Sequence, residues 1–173
     1  AMIESKQDDS SEQVWKLTNK ALSEALKELE VMRKKEGNEI DKDLKKRVKS
    51  IEEGLAKIED KAASRIPEER ERLRQRIAQL FESDEIDEQR LQMEIVILAD
   101  KLDISEECVR LRSHIKFFHE TMKLTEAVGR KLNFLLQEMH REGNTIGSKA
   151  NDAWIAQSVV RMKEELDRIR VLA

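Results

Sequence analysis

The sequence predicts an all-α protein in which a long antiparallel helical hairpin is attached to a compact helical bundle. Charged residues make up 40% of the 173 residues and aromatic residues only 3%, with one proline, five glycines and no tyrosine. Sandwiches and barrels need frequent turn residues and strands rich in β-branched or aromatic side chains. Abundant Ala, Leu, Glu, Lys and Arg favour helices instead, and apolar residues recur every three or four positions.

The first part of the chain predicts the hairpin. Residues 1–10 are polar and are expected to form a disordered or vector-derived tail. Two apolar seams follow, over about 11–35 and 41–65. The segment 36–39 between them contains Gly-Asn, which is typical of a helix end and turn. Residues 11–65 are therefore predicted to form a protruding helical hairpin.

Residues 67–173 predict the bundle, which carries most of the chemically informative residues. Pro67 suits the first turn of a helix. Asp87, after a short loop, and Asp152 suit N-cap positions, while Asp103 opens a sequence typical of a capping box. The predicted helices cover approximately 67–81, 87–102, 103–122, 125–142 and 152–170.

Charge and cysteine content narrow the function classes. Residues 1–108 carry 21 Lys/Arg against 28 Asp/Glu, whereas residues 109–173 carry 12 against 8. The second part is the expected contact surface for a nucleic acid, although ion pairs on solvated helices give similar imbalances. Cys108 is the single cysteine, and its apolar surroundings predict a buried side chain. No apolar run suits a membrane span, so a cytoplasmic protein with no membrane partner is expected.

The stretch 134–153 concentrates acids, cations and small residues. Glu138 and Glu142 are four positions apart, so both carboxylates lie on one helix face. Such a pair can bind Mg²⁺ or Mn²⁺ or transfer protons together with an imidazole, or it can be a solvated acid pair. The segment 143–149 that follows could cradle a phosphate with its backbone N–H groups and Lys149, or it could be a tight interhelical turn.

His114 is a candidate acid/base residue. It flanks the apolar face of its helix, and histidine is a natural proton-transfer group for RNA cleavage. The alternative is a structural histidine. His119 and His140 do not match a zinc-binding spacing with it.

Several ordered blocks of the chain match a known family. The principal blocks cover residues 91–107, 110–115, 129–139 and 141–149, preceded by 21–29 and 32–37. Together they closely resemble the helical region of the YicC-like endoribonuclease family. The resemblance covers the chain from about residue 14.

The resemblance implies a bacterial, metal-dependent endoribonuclease that assembles as a ring-like homo-oligomer, a hexamer, enclosing RNA, without a small-molecule cofactor. Family members place an α+β half before this helical half. Only the helical half is expected here, so the chain alone is expected to be inactive or weak. Competing functions are a structural oligomerisation arm and a coiled-coil adaptor that binds through residues 11–65.

The resemblance also selects site residues, whose roles follow from their chemistry. The expected catalytic residues are His114, Glu138 and Glu142. The expected ligands of Mn²⁺ or Mg²⁺ are Glu138, Glu142 and Glu94. The expected RNA phosphate-binding residues are Arg141, Asn144, Lys149, Arg110 and Arg130.

Overall fold

The structure, a computed structural model, describes residues 8–80 and 88–172, and over these ranges it contains five helices and no strand. The helices are α1 (Asp8–Leu80), α2 (Glu88–Leu102), α3 (Ser105–Thr121), α4 (Gly129–Lys149) and α5 (Ala153–Leu172). The all-α prediction is confirmed. None of the described helices has a stretch long and apolar enough to cross a bilayer.

The chain divides into two units, one that ends at Asp43 and one that begins at Leu44. In the first unit, all described residues belong to α1. Its apolar side chains at helical spacing are 49–68% exposed, and they form the N-terminal stripe of Trp15, Leu22, Leu26, Leu29 and Met32. Charged residues flank the stripe, including the ion pair of Lys16 with Glu12 at 2.8 Å.

The turn predicted at residues 36–39 is wrong, because this segment is helical within α1 and the antiparallel hairpin does not form. Gly37 does not adopt a positive φ, and a Cβ at this position would meet no atom within 4 Å. A glycine in a helix costs only about 1 kcal/mol relative to alanine. The residues on both sides are helical, and Lys42 pairs with Glu39 at 2.7 Å across the next turn.

The helix start predicted at Pro67 is also wrong, because Pro67 lies inside α1. Proline has no N–H to donate to the carbonyl of Ala63, so one helical hydrogen bond is lost. Helix-favouring residues surround it, and the ion pair between Lys61 and Glu68 at 4.0 Å spans it. The loop before Asp87 and the capping role of Asp87 lie outside the described residues.

The second unit buries the apolar seam that was predicted for residues 41–65. The buried members are Leu44, Val48, Ile51, Leu55 and Ile58. Arg47 of α1 donates to Glu165 of α5 at 2.9 Å, and Glu59 of α1 pairs with Arg112 of α3. Helix α4 packs against both α3 and α5, and the two ion pairs place residues 44–65 of α1 against α3 and α5 as the fourth helix of the bundle.

The starts of α3 and α5 were predicted with different success. Asp152 accepts a hydrogen bond from the Ile155 N–H at 2.9 Å, so its N-cap role is confirmed. Asp103 accepts from the Ser105 N–H at 2.8 Å, but α3 begins at Ser105, and the Asp103 N–H does not donate to the Glu106 carboxylate as a capping box requires. Instead, the Asp103 N–H bonds to a carbonyl of α2, and Glu106 pairs with an arginine one turn ahead.

Helix α4 continues through the Gly/Asn/Ser segment 143–149, so both the predicted phosphate-binding loop and the predicted interhelical turn are wrong there. Gly143 and Gly147 have no positive φ. A Cβ on these glycines would lie 3.9 and 3.5 Å from Val159 Cγ1 of α5. The two glycines therefore line the contact with α5, and the chain turns only afterwards, where Asn151 has a φ of 44°.

The hydroxyl side chains of the same segment are used within the helix. Thr145 Oγ1 donates to the Arg141 carbonyl at 3.2 Å, and Ser148 Oγ donates to the Thr145 carbonyl at 3.1 Å. Such local bonds are also common in turns, which is why these residues resemble a loop in the sequence.

Replacing Gly143 with alanine is expected to stabilise the bundle by about 0.5–1 kcal/mol, because alanine favours helix and a Cβ would make an ordinary contact with Val159. Urea unfolding followed by circular dichroism measures the change. Gly147→Ala is the matched comparison, with a smaller expected gain because its Cβ would approach Val159 more closely. If both variants were clearly destabilised, the helical conformation of this segment would be contradicted.

Candidate functional site

Helix α4 carries six of the predicted site residues, but it does not present them on one side. They are Arg130, Glu138, Arg141, Glu142, Asn144 and Lys149. Successive residues of a helix are rotated by about 100°, so Glu142 and Asn144 lie roughly on opposite sides of α4. The helical conformation therefore separates the carboxylates from the amide, whereas a loop could have brought them together.

The first side of α4 faces α3, and one ion pair defines how the two helices are aligned. Lys149 Nζ, at the end of α4, donates to Glu107 Oε1, at the start of α3, at 2.6 Å. The helices are therefore antiparallel. Two turns inward from this pair, His114 on α3 lies level with Glu142 on α4. We name the group of His114, Glu138 and Glu142 the acid–histidine edge.

The members of the acid–histidine edge differ in burial. Glu142 is only 5% exposed, His114 is partly buried, and the Glu138 side chain is 27% exposed. Glu138 lies 3.8 Å from Arg141. No hydrogen bond or ion pair joins His114 to Glu142 among the described residues, so the two are related only by their level along the paired helices.

The predicted three-carboxylate metal set is not assembled. Within residues 8–80 and 88–172, no group of three or more His, Cys, Asp or Glu side chains is placed to hold a metal ion. Glu94 is exposed on α2. Glu138 and Glu142, one turn apart on α4, form a two-carboxylate pair. Mg²⁺ commonly takes one or two carboxylates from a protein and completes its shell with water and substrate phosphates, so this pair is compatible with Mg²⁺.

Lys149, which was predicted to bind phosphate, is engaged inside the protein. The hydrogen bond to Glu107 raises the pKa of Lys149. The Glu107 side chain is 7% exposed, and its second oxygen, Oε2, is buried without a hydrogen-bond partner. Nearby, the hydrogen bonds from Ser105 lower the pKa of Asp103, and the charge of Lys149 acts in the same direction. A phosphate-binding role for Lys149 stays a prediction.

The two remaining predicted cations lie at different places. Arg110 is exposed on α3, one turn before His114, and pairs with Glu106. Arg130 is exposed near the start of α4, about 16 Å along the helix axis from Arg141. The structure therefore brings Arg110 close to the level of the acid–histidine edge and leaves Arg130 at the far end of the helix.

The second side of α4 borders an open groove of about 380 Å³ against α5, which we name the α4/α5 groove. Its lining combines predicted and unpredicted residues, namely Gln137, His140, Arg141, Asn144, Thr145, Asp167 and Arg170. At its rim, Lys163 Nζ donates to Asn144 Oδ1 at 2.8 Å. Sequence reasoning missed Arg170 and Lys163, and the only signal that pointed to them was the net positive charge of residues 109–173.

Cys108 is not part of either side of the site. It is buried at 3% exposure, as the sequence predicts. Burial, followed by the negative charges of Glu59 and Glu107, raises its pKa to about 12. Because the thiolate is the nucleophilic form of cysteine, this side chain is a packing residue at neutral pH.

Comparison with known proteins assigns the family. A sequence model described as "Endoribonuclease YicC-like, C-terminal" matches residues 58–172. A protein of Clostridioides difficile named "Probable endoribonuclease YicC" is 41% identical over 97% of this chain and 57% of its own length. A protein of the same name from Haemophilus influenzae is 36% identical over 87% of this chain and 52% of its own length. The chain thus spans a little over half the length of these relatives, and it belongs to the YicC-like endoribonuclease family.

Proposed function

We propose that this chain is the RNA-binding and catalytic helical part of a metal-dependent endoribonuclease. The observation that supports the proposal is the antiparallel alignment of α3 and α4, from which the equal rise of the two helices puts His114 at about the level of Glu142. The names of the two relatives support RNA as the substrate. Glu142 is only 5% exposed, and because glutamates are seldom this buried, its position supports a specific role.

In the proposed reaction, His114 accepts the proton of the oxygen that attacks the RNA phosphorus, and the bond from phosphorus to the leaving oxygen breaks as that oxygen takes a proton from water. One oxygen of Glu142 would orient the imidazole and stabilise its charged form, as the acid of a catalytic triad does, and the other would remain for the metal. Catalytic hydrogen bonds are often long without substrate, and the proposal requires the imidazole and the carboxylate to come into hydrogen-bond contact when RNA binds.

The proposed cofactor is Mn²⁺ or Mg²⁺, which Glu138 and Glu142 would hold. When bound, the metal would neutralise negative charge that develops on the phosphate. Glu94 stays a predicted ligand. Arg141 and Asn144 are the proposed phosphate contacts.

Cleavage of labelled RNA in Mn²⁺ or Mg²⁺ tests the proposal. Two proteins are compared, this chain and a longer protein that includes the additional length of the relatives. We expect metal-dependent cleavage by the longer protein and weak or no cleavage by this chain, with EDTA stopping the reaction. If neither protein cleaves or binds RNA under any metal condition, the proposed function is wrong.

The exposed N-terminal stripe favours a second role, self-association. We propose that a second copy of the chain covers these apolar side chains, since homo-oligomers are the commonest soluble assemblies and the flanking charges have mixed sign. A hexamer is the proposed assembly, and light scattering measures its mass. The adaptor alternative instead requires a monomer that binds a different helical partner. The single buried thiol supports a cytoplasmic location as part of this proposal.

A further inference from the structure

We propose that the α4/α5 groove binds a backbone phosphate of single-stranded RNA, with Arg141 and Arg170 as its two cationic contacts. This inference rests on the proposed function and adds Arg170 and the α4/α5 groove to the phosphate contacts proposed there. The two guanidinium groups come from different helices and line the same open groove. Guanidinium groups bind phosphate oxygens in a bidentate geometry, so two of them suit a phosphodiester that crosses the groove.

The cations of the groove differ from those on the α3 side in how they are paired. Lys149 forms an ion pair with Glu107, and Arg110 forms one with Glu106, so each cation already has a carboxylate partner within the protein. Arg170 makes no ion pair in the described part of the chain. Arg141 is 74% exposed and touches Glu138 only at 3.8 Å. Both guanidinium groups are therefore available to an anion.

Asn144, a neutral residue of the groove, presents a hydrogen-bond donor. Lys163 donates to the Asn144 side-chain oxygen, which leaves the amide N–H₂ of Asn144 available to donate to a ligand. Phosphate oxygens accept hydrogen bonds and never donate them, so this arrangement matches their chemistry.

The carboxylate that lines the groove is Asp167, and it is close to a histidine. Asp167 Oδ1 lies 3.1 Å from His140 Nε2, although the contact lacks hydrogen-bond geometry. The lining also contains two arginines, and Lys163 lies at the rim, so the positive charges around the groove outnumber the single negative charge of Asp167. The groove contains no aromatic side chain other than the imidazole, which favours a backbone phosphate over a stacked base.

The test compares Arg170→Ala with Arg168→Ala on the same helix. Arg168 is exposed and pairs with Glu165, and it does not line the groove, so both variants lose one positive charge near the end of α5. Binding of a labelled, unstructured RNA oligonucleotide is measured by fluorescence anisotropy over a salt series. We expect Arg170→Ala to weaken binding about tenfold and to reduce the salt slope by about 0.7, with Arg168→Ala close to wild type.

A second variant is included in case the loss of affinity for Arg170→Ala is too small to measure. Asn144→Asp keeps the size of this exposed side chain and adds a negative charge to the groove, so a larger loss than that of Arg170→Ala is expected. Circular dichroism checks that the variants keep their helix content. If wild type binds RNA and the Arg170→Ala and Arg168→Ala curves coincide, the groove assignment is overturned while the proposed function stands. If wild type does not bind RNA at all, both are overturned.

Discussion

Replacing His114 with alanine is expected to lower the rate of RNA cleavage by about 10²–10⁴-fold, the range that a positioned acid/base group contributes. The loss should appear mainly in kcat, because in the proposal the imidazole acts on the reacting oxygen and not on RNA affinity. His114 is only partly buried, so its truncation should leave the bundle folded. Single-turnover cleavage by the protein form that is active measures the effect.

His119→Ala is the matched control for this experiment. His119 lies on the same helix and is partly exposed, but it faces Glu52 of α1 at 3.3 Å. We expect its removal to leave the cleavage rate within a few-fold of wild type. Glu142→Gln should reproduce the loss seen for His114→Ala, and the double variant should lose little more, since residues that act as a unit are not additive. Equal rates for His114→Ala and His119→Ala would remove His114 from catalysis.

Replacing Lys149 with methionine is expected to lower the thermal midpoint of the bundle by several degrees. The buried Glu107 carboxylate would lose the partner of its Oε1 atom, while its Oε2 atom already has no hydrogen-bond partner. Removal of one partner of a buried pair leaves an uncompensated charge, which is more costly than the loss of the whole pair. The double variant Glu107→Leu with Lys149→Met should therefore be more stable than Lys149→Met alone.

The pH dependence gives this prediction a second measurement. Because the Lys149 pKa is raised in the folded state, its contribution is complete below the ordinary lysine pKa of about 10.4 and is lost as the pH rises through the higher folded-state value. The difference between wild type and Lys149→Met should therefore narrow at strongly alkaline pH. The lowered pKa of Asp103 acts at the opposite end, where its contribution is lost in acid. A Lys149→Met variant as stable as wild type at neutral pH would contradict a stabilising role for the pair.

The predicted helix ends and turns show where sequence reasoning succeeded and where it did not. Asp152 was identified as an N-cap because its short carboxylate can reach a free N–H two or three residues ahead, which is a local property. Gly37 and Gly143 were assigned to turns for an equally local reason, their tolerance of positive φ. Neither adopts it. At Gly143 and Gly147 the helix continues where it packs against Val159 of α5, about a dozen or more residues away in sequence.

In the candidate site, too, local properties could be predicted from the sequence and long-range packing could not. The types of residue needed for RNA cleavage and phosphate binding could be identified from their chemistry and their resemblance to a family. Their grouping could not, because it depends on which neighbour each side of α4 faces. The extension of α4 to Lys149 placed the carboxylates towards α3 and Asn144 towards α5. Arg170 joined the groove only through the packing of α5 against α4.

The sequence by itself therefore determined the all-α class, the apolar seams that are buried in the bundle, and the family, since these depend on composition, periodicity and ordered residue blocks. The tertiary structure decided that α1 is continuous through Gly37 and Pro67 and that the predicted site divides between two sides of α4. The physical reason is the same in each case. Helix periodicity is a local property of the chain, whereas the end of a helix and the partner of a side chain depend on packing between residues that are distant in sequence.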